Sequence, residues 1–150
     1  MKKILLGLVV CGMSANLAMA EATWLTSLPE AQALAKKENK LVFMDFEGSD
    51  WCPPCKKLDS DVFSKPEFEA YAKKNIVLVK VDFPDAKPQT AELKAANKAL
   101  SEKYKVNGYP TLIVVKPDGT VVWESEGYPH GGLSDITAAV DKVKMTESRS

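Results

Sequence analysis

Cys52 and Cys55, two residues apart in "SDWCPPCKKLDSD", are the side chains with the most chemistry to offer. Such a pair can clip a metal, staple a loop, or alternate between dithiol and disulfide. A closed zinc site takes about four ligands, and beyond this pair the chain adds His130 and, near its start, Cys11. A staple closing so short a loop removes little entropy from the unfolded chain. Redox exchange is therefore the reading these residues favour, with no metal expected.

The first residues concern where that exchange takes place. Lys2 and Lys3 form a basic start, Ile4 to Val10 an apolar run, and Ala18-Met19-Ala20 a small-residue cleavage pattern. The run falls well short of the roughly 20 residues needed to span a bilayer. The expectation is a cleaved signal over residues 1–20 and a single domain over residues 21–150, exported to the periplasm or beyond. Cys11 leaves with the signal, and Val10 before it stands where a lipoprotein signal wants a small residue, so lipid anchoring is not expected. Export brings the pair into a compartment where disulfides persist. The 20 basic and 20 acidic residues balance, which implies no nucleic-acid partner and no anionic membrane surface.

The elements that must position the pair follow from periodicity and punctuation, with no repeat or linker dividing the chain. "TSLPEAQALAKKENK" has Ser27 three residues before Glu30 and Pro29 in the first turn, a helix start, with Leu28, Ala31, Leu34 and Ala35 on one face. Lys40 to Glu47 is a near-continuous apolar run and reads as a buried strand. From Cys52 the pattern is helical through Leu58 and Val62, and Ser64, Pro66 and Glu67 signal a second helix carrying Phe68 and Tyr71. "NIVLVKVDF" is a second strand, and Leu93, Ala96, Leu100 and Tyr104 mark another helix. Two β-rich runs around Pro117-Asp118-Gly119 form a hairpin, and a helix from Leu133 to about Met145 closes the chain. Strands joined through helices pair in parallel and the hairpin adds an antiparallel edge, giving an α/β mixed sheet with helices on both faces.

In this layout Cys52 ends a strand-to-helix connection, where free N–H groups and the helix dipole favour a thiolate. Cys55, one turn on, is expected to be more buried and to resolve a mixed disulfide formed on Cys52. Pro53 and Pro54 carry no N–H, leaving that of Cys55 to face the Cys52 sulfur. Fewer donors depress the thiol pKa less, which tilts the pair toward the reducing side.

"DWCPPCK" after an apolar strand and "VNGYPT" before a later one resemble the thioredoxin superfamily, across residues 25 to 145. The "GSDWC" lead-in is similar to that of exported thioredoxin-like proteins and of the C-terminal domain of the transmembrane transporter that carries reductant to the periplasm. The resemblance implies a thioredoxin fold, with Cys52 as nucleophile and Cys55 as resolving cysteine. It implies a cis peptide at Tyr109-Pro110, whose backbone pairs with an extended substrate segment, and an exposed Trp51 offering apolar surface to the partner. Asp45 stands for the family's buried proton-relay aspartate, with Glu47 close behind because the connection to the motif is one residue longer. The lysine that accompanies that aspartate aligns with Leu78.

Trp24, Trp123, Phe68, Tyr71 and Tyr104 read as packing residues, Lys56 and Lys57 as a solvated face, and His130 as a loop bystander. The function implied is an exported thiol–disulfide oxidoreductase acting on protein thiols and disulfides, a reductase before an oxidase or isomerase. A membrane or soluble electron donor would reset it, and no cofactor is implied. A reading of a different class is a client-binding module whose cysteines are incidental.

Overall fold

Seven residues of unbroken burial, Leu41–Glu47, form β2 and run through the middle of the molecule. The computed structural model describes residues 22–149, so the expected signal segment and Cys11 lie outside them. In chain order the elements are β1 (Trp24–Leu25), α1 (Leu28–Glu38), β2, α2 (Pro53–Leu58), α3 (Pro66–Asn75), β3 (Ile76–Asp82), α4 (Ala91–Lys103), β4 (Thr111–Val115), β5 (Val121–Glu126) and α5 (Leu133–Glu147). Between α2 and α3 runs a π-helical segment, Asp59–Phe63.

The five strands form one sheet in the order β1-β3-β2-β4-β5. β3 pairs in parallel with both β1 and β2, as a strand–helix–strand crossover requires. β4 pairs antiparallel with β2 and with β5, so the terminal hairpin contributes a central strand as well as an edge. The hairpin turns at Gly119, whose positive φ of 92° is open to glycine at little cost. This is the expected mixed α/β sheet with helices on both faces.

Alternation along β2 divides the core in two. Val42, Met44 and Phe46 join Leu28, Ala31 and Ala35 of α1 with Val79 and Ile113 on one face. Leu41 and Phe43 join Leu58, Phe63, Phe68, Leu78 and Ile136 on the other. There Trp24 packs among Phe43, Phe63 and Phe68, with ring centroids 5.2 Å from Phe63, so Trp24 and Phe68 are packing residues as expected.

Three local features differ from the sequence reading. The two-residue β1 is too short to give a periodic signal. The helix begun at Pro53 continues past Leu58 with π geometry, which still buries Val62 and Phe63. Ser64 does not cap α3; its hydroxyl bonds Asp59 (3.2 Å), and Lys65 takes the N-cap position without a side-chain bond. At α1 the Ser27 hydroxyl does accept from the Glu30 N–H, at 3.4 Å. Among the described residues no helix is long and apolar enough to cross a membrane.

Candidate active site

The chain leaves β2 at Gly48, whose carbonyl accepts hydrogen bonds from the N–H groups of Trp51 (3.2 Å) and Cys52 (2.9 Å). A Cβ at Gly48 would meet the Trp51 indole, so glycine leaves room for that ring to lie against the turn. The turn delivers Cys52 to the N-cap of α2 in an extended conformation, with Pro53 and Pro54 opening the helix. Prolines fit there because first-turn N–H groups have no helical partner to lose.

The Cys55 N–H is left to donate to Cys52 Sγ, at 3.3 Å. The two sulfurs form a disulfide, 2.14 Å apart. Both cysteines are 2% exposed. The expected difference in burial is therefore absent in this oxidised form, where a bond across one helical turn ties both sulfurs to the same buried place.

Asp45 and Glu47 lie two residues apart on β2 and so share the sheet face of Phe43, against which α2 packs through Leu58. They are 1% and 3% exposed, so neither is a solvated carboxylate at the strand end. Asp45 Oδ1 has no hydrogen-bond partner among the described residues. Burial pushes the Asp45 pKa well above the usual carboxylate range, and the negative charge of Glu47 pushes it further; Lys80 opposes both. Burial raises Glu47 as well, against the pull of Lys80.

Lys80 is the cation of this cluster, and the sequence reading misplaced it. Leu78 lies opposite Phe43 in the β2–β3 register, whereas Lys80 lies opposite Asp45. Assigning that lysine requires the register between two strands 35 residues apart, which no local pattern carries. Lys80 Nζ stands 3.2 Å from Glu47 Oε1 and 4.0 Å from Asp59 Oδ1. Burial alone would lower its pKa, but Glu47 and Asp45 outweigh that and hold it above the ordinary lysine value, hence protonated.

On the outer side, the segment between β2 and α2 is clasped to the one after β3. The Asp50 carboxylate accepts from the N–H groups of Asp85 (2.9 Å), Ala86 (2.8 Å) and Lys87 (3.0 Å). These bonds, that from Asp85 foremost, hold its pKa down to about 2. Ser49 bonds Asp82 through N–H and hydroxyl, and the Trp51 Nε1–H donates to the Phe83 carbonyl (2.8 Å).

Trp51 remains 48% exposed. Its ring meets Tyr109 edge-on at 5.8 Å, and Tyr109 stacks on Phe83 at 5.2 Å. The Tyr109-Pro110 peptide is cis, as the resemblance implied. The structure thus brings Trp51 and Tyr109 together beside the cysteine turn, with Pro110 buried next to Tyr109, and sets Asp45 on the sheet face against which α2 packs.

Phe83, Asp50 and Lys80 belong to this neighbourhood and were not singled out from sequence. Phe83 and Lys80 are joined to it across more than 30 residues, and Asp50, which stands in the cysteine turn itself, meets its partners only across 35 residues or more, so the adjacent letters give no signal of these contacts. Lys56 bonds the Asp50 carbonyl (2.7 Å), and Lys57 pairs with Asp61 and covers the Tyr128 ring, so both have structural partners. His130 is exposed on the loop before α5. Among the described residues no group of three or more His, Cys, Asp or Glu side chains is arranged to hold a metal.

Residues 28–144 match the family model described as a thioredoxin-like domain. Among curated proteins, the disulfide bond reductase DsbH of Chlamydia pneumoniae is 34% identical over 86% of this chain and 77% of its own length. The thiol:disulfide interchange protein DsbD 2 of Pseudomonas aeruginosa is 33% identical over 71% of this chain, which spans only 16% of that longer protein. A solved structure of a DsbH oxidoreductase superposes with a TM-score of 0.73 at 28% identity, covering 87% of this chain and 92% of the other.

Proposed function

We propose that this chain, which belongs to the thioredoxin-like family and is a thiol–disulfide oxidoreductase with a CxxC pair, works as an exported reductase of protein disulfides. The observation that carries this reading is Cys52 at the N-cap of α2, with the Cys55 N–H aimed at its sulfur. A sulfur so placed is stabilised as a thiolate by that donor and the helix dipole. Pro53 and Pro54 offer no further N–H, which keeps the stabilisation modest and supports reduction over oxidation. The name of the Chlamydia relative, a disulfide bond reductase, points the same way.

The reaction starts from the dithiol. Cys52 thiolate attacks one sulfur of a client disulfide, a mixed disulfide forms, and the first client thiolate departs. The Cys55 thiol gives its proton to Asp45 and attacks Cys52 Sγ, releasing the second client thiolate. The client has gained two electrons, and the chain is left with the Cys52–Cys55 disulfide seen here. A dithiol donor, membrane-bound or soluble, then returns the electrons.

Trp51, Tyr109 and Pro110 form the surface that receives the client beside the cysteine turn. In this reading a signal over residues 1–20 is removed, the domain spans residues 21–150, and the exchange takes place in the periplasm or otherwise after export.

Trapping tests the reading. With Cys55→Ser the resolving step is lost, so a mixed disulfide between Cys52 and a model protein disulfide accumulates, and Cys52→Ser abolishes it. Client binding that survives Cys52→Ser alongside full biological function would instead favour a client-binding module whose cysteines are incidental.

A further inference from the structure

Among the buried groups, the cluster around Lys80 holds one feature the reaction above does not use. Three acids face the cation, and it lies within ion-pair distance of two of them, Glu47 at 3.2 Å and Asp59 at 4.0 Å. Asp45 and Glu47 each keep an oxygen outside hydrogen-bond geometry, but Asp45, although opposite Lys80 in the strand register, makes no ion pair with it, whereas Glu47 does. The charged groups facing this place come from three elements. They are Glu47 on β2, Lys80 and Asp82 on β3, and Asp59 on the π-helical segment, which approaches Lys80 from beyond α2. Lys80 and Asp82 also line a surface cleft of about 380 Å³.

We propose that Glu47 is a positioning residue that engages Lys80 and so leaves Asp45 free to carry the proton exchanged with Cys55. The inference rests on the oxidoreductase reading and assigns Glu47 a role in it. Glu47 acts twice. Its own charge, two residues along the same strand face, repels a second carboxylate, and its ion pair keeps the ammonium from becoming the dedicated partner of Asp45. Without Glu47, Lys80 would turn to Asp45 and fix it as a carboxylate, which accepts a proton from Cys55 less readily and returns none when the disulfide is reduced again.

The test is a carbon-detected NMR titration of the Asp45 carboxyl in the full chain, in the disulfide form, beside the pH profile of client-disulfide reduction. In Glu47→Gln the Asp45 inflection is expected to fall by about one pH unit or more, the size of effect that an opposite charge at close range produces. The matching limb of the pH–rate profile should move with it. Adding Lys80→Met to Glu47→Gln should bring the inflection back up, because the released cation is gone. Glu47→Asp, which keeps the charge, should lie close to the parent.

An inflection unmoved or raised in Glu47→Gln overturns the proposal, as does a fall that Lys80→Met fails to reverse. Failure of the oxidoreductase reading would look different: no client reduction by the parent protein at any pH, whatever Asp45 does.

Discussion

On one face of β2, Val42, Met44 and Phe46 enter an apolar cluster closed by α1, β3 and β4. On the other, Leu41 and Phe43 begin in the same way, but the next two inward positions are Asp45 and Glu47. Both faces are equally shielded from water. A buried methionine or phenylalanine adds to stability through the area it removes from water. A buried acid without a full set of partners subtracts from it. The apolar face therefore acts as scaffold, while the acidic end lies on the α2 side at a loss of stability, which the proposed proton exchange with Cys55 would account for.

If that division is right, substitutions on the two faces should separate stability from exchange. The largest effect on stability is expected on the apolar side. Phe46→Ala should cost about 3–5 kcal/mol in denaturant unfolding, as other large-to-small core changes do. The rate of disulfide exchange per folded molecule should stay unchanged, since Phe46 points away from α2.

Asp45→Asn should do the reverse. The folded-state pKa of Asp45 is raised, so the native chain holds a proton that the unfolded chain has already lost, and stability falls as pH climbs from about 3.9 through the raised value. Removing the acid cancels that loss. The variant should be more stable than the parent at neutral pH, by about 1.4 kcal/mol for each pH unit of the native shift, with the difference vanishing at low pH. Exchange should slow by about tenfold or more, because the resolving step loses its proton acceptor. Unfolding curves and exchange rates between about pH 3 and 9 check both limbs.

A smaller effect is expected at the clasp outside both faces. In Asp50→Ala the amides of Asp85, Ala86 and Lys87 lose their shared acceptor. Hydrogen exchange there should accelerate on the order of tenfold, as expected for losing a charge-assisted bond. The parent clasp should persist until pH falls through about 2, because the depressed pKa keeps its contribution present above the unfolded carboxyl value. The effect on exchange should appear as a higher KM for protein clients, through a less firmly held Trp51, with kcat little altered.

How far the sequence carried this comparison differs by region. The apolar face was legible because its signal is local: Lys40 to Glu47 reads as a buried strand, and Leu28, Ala31 and Ala35 as one helical stripe. The cysteine turn was also legible, since Cys52, Pro53, Pro54 and Cys55 are consecutive and each constrains the same few backbone groups. Asp45 and Glu47 could be named as candidates for the same reason. Their partner could not, because the Lys80 assignment depends on strand register, and Leu78 sits only one pleat away. The Asp50 clasp and the Phe83–Tyr109–Trp51 ring contacts join segments that are distant in the chain. The π geometry after Leu58 left no trace in residue types, for the apolar positions Leu58, Val62 and Phe63 fit an α-helix as well.

As a reductase, the Cys52–Cys55 couple is built to give electrons away. Its reduction potential, titrated against a dithiothreitol or glutathione buffer, tests this most directly. The expected value is near or below about −230 mV, in the range of thioredoxin-like reductants. A value above about −150 mV, where disulfide donors lie, would contradict it.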